Sequence, residues 1–244
     1  MTRVKLHLCV SFAVMILLSG CMYPEENLQK NQLSNDRQLQ MVQQAIDQYV
    51  KDENGLVPIH TKESDTPLYQ KYVIDFQKLK QGNYLQSIPA TAFENGGAYQ
   101  YVLINPETNP TVKVIDIRVV DQLRPIQQQL TIYRDEHIYP PFGKEVAEGI
   151  YKLNREELGV SQEDLQINSP YSDHRLPVYI NADGELIIDY RMDLYSLLEE
   201  VDHDLQLGDD IRSLLTKHHP VVPAYSVPYT IENDEPVFDW QPTD

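Results

Sequence analysis

The sequence predicts an α+β fold in which antiparallel hairpins carry packed helices. Three observations lead there. Runs rich in β-branched and aromatic residues come in pairs, separated by Asn, Asp, Gly and Pro, which is how hairpins read in a sequence. Other stretches place apolar residues every three or four positions, the helical period. Hydrophobic residues make up 41% of the 244 residues, so a real core is expected rather than disorder.

The elements follow in chain order. Arg3 and Lys5 form a short positive segment, and Leu8 to Leu18 is an apolar run with one serine. That run is short for a membrane span and right for the apolar region of a signal peptide. Leu18-Ser19-Gly20-Cys21 follows at once. These four residues resemble the lipobox of bacterial lipoproteins, and the match is complete. The resemblance implies export, cleavage before Cys21, and a diacylglyceryl group on the Cys21 thiol. Small residues at 19 and 20 suit a peptidase cleft, and a thiolate is a strong nucleophile for the acyl-bearing donor. Two acyl chains anchor far more firmly than one, at about 0.8 kcal/mol per buried methylene. The implied location is the outer face of the cell membrane. Cys9 leaves with residues 1–20 and Cys21 is lipidated, so no thiol remains for a disulfide or a zinc-thiolate site.

Residues 21–36 are polar with little periodicity and read as a lipidated tether, up to roughly 50 Å long if extended. Leu39, Val42, Ile46, Tyr49 and Val50 predict a helix, with Ser34, Asn35 and Asp36 as caps and Asn54-Gly55 as its stop. Tyr69 to Leu79 carries both strand and helix signals. Gly96-Gly97 is a turn. Tyr99 to Asn105 and Thr111 to Val120 read as two strands of a hairpin joined by Pro106 to Pro110. Leu123 to Arg134 reads as a helix with Pro125 in its first turn. Lys144 to Leu158 reads as a helix closed by Gly159. Val178 to Asn181 and Glu185 to Tyr190 form a tighter hairpin around Asn181-Ala182-Asp183-Gly184. Leu194, Leu197, Leu198, Val201 and Leu205 predict an amphipathic helix reaching Gly208. A short helix from Asp209 or Asp210 through Thr216 comes next. Val227 to Ile231 and Val237 to Trp240 read as a last hairpin on a sheet edge, since five of the sixteen prolines fall after residue 219.

The two main hairpins resemble each other. Asn105 and Asn181 each close a strand, and Ile115-Asp116-Ile117-Arg118 and Ile188-Asp189-Tyr190-Arg191 each open the return. Convergent hairpin composition explains so short a match; duplication would make two related halves, 37–135 and 136–244, the second ending in the Pro-rich segment. Asp116 with Arg118, and Asp189 with Arg191, would share strand faces at period two. Each pair is either a partly buried ion pair or a surface pair of little weight.

Charge excludes some functions. The net charge is −17, and cutting before Cys21 removes Arg3 and Lys5 and no acid, which takes it to −19. Nucleic-acid binding is not expected, because phosphates need Lys and Arg to neutralise them. The residues also offer little catalysis. There is no GxSxG elbow, no SxxK, no Walker pattern and no HExxH. His203 lies in an acidic stretch from Glu199 to Asp210, which reads as the solvated face of a helix rather than a cation site. His218 and His219 are adjacent, so their side chains diverge. Asn181 to Glu185 lacks the later ligands of a calcium loop. No catalytic residue, metal or cofactor is expected. Sixteen tyrosines suit either strands or a binding surface.

Two further resemblances bear on the exported part. Tyr84-Leu85-Gln86-Ser87-Ile88-Pro89, then Gly96-Gly97 and Tyr99-Gln100-Tyr101-Val102, is similar to the region where pseudopilins enter their sheet. Ala45-Ile46-Asp47-Gln48-Tyr49 before Asn54-Gly55 fits that plan. The lipobox departs from it, since pseudopilins carry a prepilin cleavage site and a long hydrophobic helix. The whole chain resembles the uncharacterised lipoproteins of Bacillus-like bacteria, which implies location and no activity. The expectation is a membrane-anchored, non-enzymatic envelope module whose partner is a protein or a cell-wall component. The alternative is a small extracytoplasmic ligand-binding protein.

Overall fold

The computed structural model describes residues 25–241. The expected signal peptide, residues 1–20, and Cys21 lie outside them. Among the described residues, no helix is long and apolar enough to cross a membrane.

The first helix, α1 (Glu25–Asp52), begins well before the predicted start. Ser34, Asn35 and Asp36 are therefore interior residues rather than caps, and residues 25–36 are helical rather than extended. At 1.5 Å per residue this segment is less than half as long as an extended one. Contacts divide the chain into two compact units, Met1–Gln40 and Met41–Asp244. The second unit holds both of the halves expected on either side of residue 135. Within it, the end of α1 buries Val42, Ala45 and Ile46. Asn54 and Gly55 then take positive φ and stop the helix, as their residue types suggest.

The ambiguous stretch after residue 66 resolves into three pieces. These are a one-turn helix α2 (Leu68–Lys71), an extended stretch at 72–74, and helix α3 (Phe76–Gln81), capped by the Asp75 carboxylate on the amides of Gln77 and Lys78. A 3-10 turn, Phe93–Asn95, leads to the first hairpin. Gly97 is required there, because a Cβ would lie 2.1 Å from the Thr91 carbonyl carbon. Strands β1 (Tyr99–Ile104) and β2 (Thr111–Asp116) pair antiparallel from Tyr99 opposite Asp116 to Ile104 opposite Thr111.

Strand β2 ends at Asp116 rather than Val120. Its alternation continues on paper, but Asp116 caps a helix, α4 (Ile117–Glu136). Val119, Leu123, Ile126 and Leu130 form the buried face of α4, four side chains each worth roughly 1.5–3 kcal/mol on burial. Because α4 starts six residues earlier than expected, Pro125 sits in its interior.

The predicted helix over 144–158 is instead a hairpin. Strands β3 (Phe142–Ala147) and β4 (Ile150–Leu153) turn at Gly149, which has φ +68°, and only one helical turn follows, α5 (Arg155–Leu158). Gly159 closes that turn in the left-handed conformation, so the stop signal is right and the length wrong. Strand β5 (Gln166–Asn168) leads to β6 (Arg175–Asn181) and β7 (Leu186–Ile188). Strand β6 is central: it pairs antiparallel with β5, β4 and β7. Helix α6 (Arg191–Glu200) follows and ends eight residues short of Gly208. Val201 and Leu205 still pack on the core without being helical. Helix α7 (Arg212–His218) and the hairpin β8 (Tyr229–Glu232) with β9 (Glu235–Phe238) complete the chain.

The same order of elements occurs twice. In the first run, Ile59 pairs with Ile74, Val73 with Val102, and β1 with β2, all antiparallel. In the second, β3 pairs with β4, β4 with β6, and β6 with β7, again antiparallel. A short side-chain-capped helix follows the second extended segment in both, α3 under Asp75 and α5 under Asn154. A longer helix follows the last strand in both, α4 and α6. The correspondence thus extends beyond the hairpin pattern read from the sequence; β5 is an addition in the second run, and α2 and the 3-10 turn are additions in the first.

The Pro-rich segment ties the two runs together. Pro220 and Val222 sandwich Val114 of β2 through backbone hydrogen bonds, and the Tyr225 carbonyl accepts from the amide of Ile188, the last residue of β7. Tyr225 packs against the apolar clusters of both runs.

Candidate functional site

The polar features with chemical potential lie at helix starts. Asp116, Asp189 and Asp210 each precede an Arg by two residues, and all three pairs have one geometry. The aspartate accepts the backbone amide of its Arg, and the guanidinium folds back onto both carboxylate oxygens. Each guanidinium also lies over an aromatic ring: Arg118 over Tyr99 at 5.7 Å, Arg191 over Phe238 at 4.2 Å, and Arg212 over Tyr69 at 5.0 Å. The expected pairing on a strand face is replaced by one at a helix start: Asp116 is the N-cap of α4, and Asp189 and Asp210 stand one residue before the N-caps Tyr190 and Ile211 of α6 and α7. Carboxylates suit helix N-termini, and the folded-back Arg neutralises a charge that burial would penalise. Asp116 and Asp189 are both buried. The bonds to Asp116 hold the Arg118 guanidinium more firmly protonated than usual. The third pair, Asp210 with Arg212, was not singled out from the sequence, although the same three-residue pattern marks it.

A second cluster fastens the loop before β6 to α6. The buried Asp193 carboxylate accepts from Ser169 Oγ at 2.8 Å, from Ser172 Oγ, and from His174 Nδ1 at 3.1 Å. An aspartate that orients a histidine beside a serine invites comparison with a hydrolase. The geometry argues otherwise: Ser172 gives its proton to Asp193, not to the imidazole, and its Oγ also accepts from the His174 amide. No imidazole faces the serine: the carboxylate that accepts its proton is shared with Ser169 and His174, so the contacts do not form the serine–histidine–aspartate relay of a hydrolase. The imidazole borders a shallow hollow of about 440 Å³ with Arg191, Tyr195 and Glu235. His174 and Asp193 are nineteen residues apart and carried no sequence signal.

The residues singled out in the sequence do not converge. His203 lies after α6, outside any helix, and lines a basin with Asp202, Asp204, Lys113 and Lys217. Burial lowers the affinity of Lys113 for its proton, and its ammonium donates to the His219 carbonyl. Burial, then the neighbouring His218, does the same to the His219 ring. Among the described residues no three His, Cys, Asp or Glu side chains gather as metal ligands would. Asn181 serves its hairpin turn, accepting from the Glu185 amide. The tyrosines divide: Tyr101, Tyr190 and Tyr229 are core residues, and Tyr139 is three-quarters exposed. The Tyr190 and Tyr229 hydroxyls donate to the carbonyls of Ala224 and Ile188.

A groove of about 530 Å³ runs along α4. Val120, Leu123, Ile132, Leu186 and Tyr225 give it an apolar floor, and Arg124, Thr131 and Gln127 to Gln129 rim it. A smaller hollow shares Gln129 and Ile132 with it and continues to Tyr133, His137 and Glu157. Beyond α4, Ile138 is almost fully exposed and Tyr139 largely so.

A family model described as the YphF family N-terminal domain matches residues 35–116. That stretch runs from α1 to the cap of α4. No curated protein and no solved structure matches the chain.

Proposed function

We propose that this chain is a lipid-anchored module on the outer face of the cell membrane, held through Cys21, which binds an envelope protein or wall component and carries out no reaction of its own. The observation that carries the anchoring is Leu18-Ser19-Gly20-Cys21 directly after an apolar run of signal-peptide length. Support for a binding rather than a catalytic role comes from the polar clusters. The buried carboxylates Asp116, Asp189 and Asp193 are each engaged in holding a helix start or clamping a loop, and Ser172 hydrogen-bonds to Asp193 rather than to the His174 imidazole. The groove along α4 and the exposed Ile138 and Tyr139 offer apolar surface instead. One observation favours a small-ligand receptor: the groove lies within the usual size of a ligand pocket, about 300–1,000 Å³.

The test is mass spectrometry of the N-terminal peptide from membrane-extracted protein, with Cys21→Ser alongside. Diacylglyceryl-Cys21 in the wild type and an uncleaved, unacylated precursor in the variant are expected. A wild-type chain recovered with an unmodified Cys21 sinks the anchored reading.

A further inference from the structure

We infer that the α4 groove binds an extended apolar segment of a partner protein, with glutamine amides pairing to its backbone and Arg124 meeting a carboxylate on it. This rests on the interaction-module reading and gives that reading a site.

The first argument is shape. The lining runs from Val120 to Ile132, thirteen residues of helix whose ends lie about 18 Å apart at 1.5 Å per step. That length holds about five residues of extended chain.

The second is hydrogen-bonding chemistry, for which the molecule supplies its own precedent. On α1, Gln43 Nε2 donates to the Pro110 carbonyl at 2.9 Å, and Gln43 Oε1 accepts from the Val112 amide at 2.7 Å. One helical glutamine thus satisfies both backbone groups of an extended segment. Gln122 Oε1 of α4 likewise accepts from the Asn168 amide at 2.8 Å. Gln127, Gln128 and Gln129 stand on the rim of the groove, exposed and with no hydrogen bond from their side-chain amides among the described residues. An acyl chain has no use for such a rim, whereas a peptide backbone does.

The third is charge. The chain carries −17 overall, yet among the described residues no carboxylate lines this groove and its one charged lining residue is Arg124. One Arg124 nitrogen pairs with Asp121 at 2.7 Å, and both side chains are more than half exposed, which leaves the rest of the fork available. A partner segment with an acidic residue is accepted here and repelled by most of the surrounding surface.

The experiment uses the full lipidated chain in nanodiscs. The probe is a fluorescent blocked peptide, acetyl-Leu-Val-Leu-Val-Glu-amide on a Ser-Gly tail, with Gln-ended, Lys-ended and backbone N-methylated versions. Saturable binding is expected, weakest for the Lys-ended peptide and lost by about tenfold on N-methylation. Arg124→Gln should weaken the Glu-ended peptide about three- to fivefold and leave the Gln-ended one unchanged. Thr131→Trp, at an exposed rim position, should block all versions without changing the melting temperature. No saturable binding, equal binding of the N-methylated peptide, binding that survives Thr131→Trp, or photo-crosslinking of the rim to nanodisc lipid overturns the proposal. None of these outcomes touches the acylation of Cys21, so failure of the groove and failure of the anchor are read separately.

Discussion

At the scale of single residues, three Asp-x-Arg sites share a geometry and differ in burial. The Arg118 side chain is 65% exposed, whereas that of Arg212 is 7% exposed and donates also to Ser226 O and Oγ. The two therefore should not contribute alike. Arg118→Ala is expected to cost less than about 1 kcal/mol, as exposed ion pairs do. Arg212→Met strands the Ser226 carbonyl and uncovers Tyr69, for about 2–3 kcal/mol. Urea denaturation of the two variants checks the ranking, and equal losses would mean that the common cap, not burial, sets the stability. Residue types alone marked two of the Asp-x-Arg pairs but set them on strand faces, whereas each stands at the start of a helix. They did not reveal His174 and Asp193, which approach only because the loop before β6 folds over α6.

At the scale of elements, α4 shows where local reading gives way. From Val112 to Val120 the sequence alternates as a strand should, yet the last four of those residues are helical. The Asp116 side chain takes the Arg118 amide, and from there the buried positions fall at 119, 123, 126 and 130, the helical period. The same shift puts Pro125 inside the helix, where it leaves the Asp121 carbonyl without its amide donor. Pro125→Ala restores that bond at an exposed position. The looser unfolded chain offsets part of the gain, so a net stabilisation of about 1–2 kcal/mol is expected. A lower denaturation midpoint would show that the proline shapes the helix in a way the rest of the fold needs. The error over 144–158 has a related cause. The apolar residues there suit a helix by count, but Gly149 at positive φ and the waiting edge of β6 favour a hairpin.

At the scale of the whole molecule, the tyrosines dominate the response to alkali. Burial pushes Tyr69 up to about 12 and raises Tyr171, Tyr190 and Tyr229 as well. A buried phenol is favoured neutral, so the unfolded chain releases its protons first, near pH 10. Stability should hold below pH 10 and fall steeply from pH 10 to 12. Tyr69→Phe should shallow that fall. Urea midpoints at pH 9, 10 and 11 read it, and an unchanged slope in Tyr69→Phe would show that its phenol plays no part.

The sequence by itself determined the α+β class, the main hairpins, the stops at Gly55 and Gly159, and the expectation of lipid on Cys21. These rest on local chemistry: the period of apolar residues, the conformational freedom of glycine, and a thiol behind two small residues. Only the tertiary structure decided where β2 becomes α4, that residues 142–153 pair as strands, and that the segment around Val221 and Tyr225 closes both runs. Those choices depend on partners far along the chain, such as Pro220 on Val114 and Ile150 on Asn181. A local pattern leaves two conformations open, and a backbone group chooses the one in which a distant partner satisfies it. The groove along α4 belongs with these, because Leu186 and Tyr225 reach its floor from positions 50 and 89 residues beyond the end of the helix at Glu136.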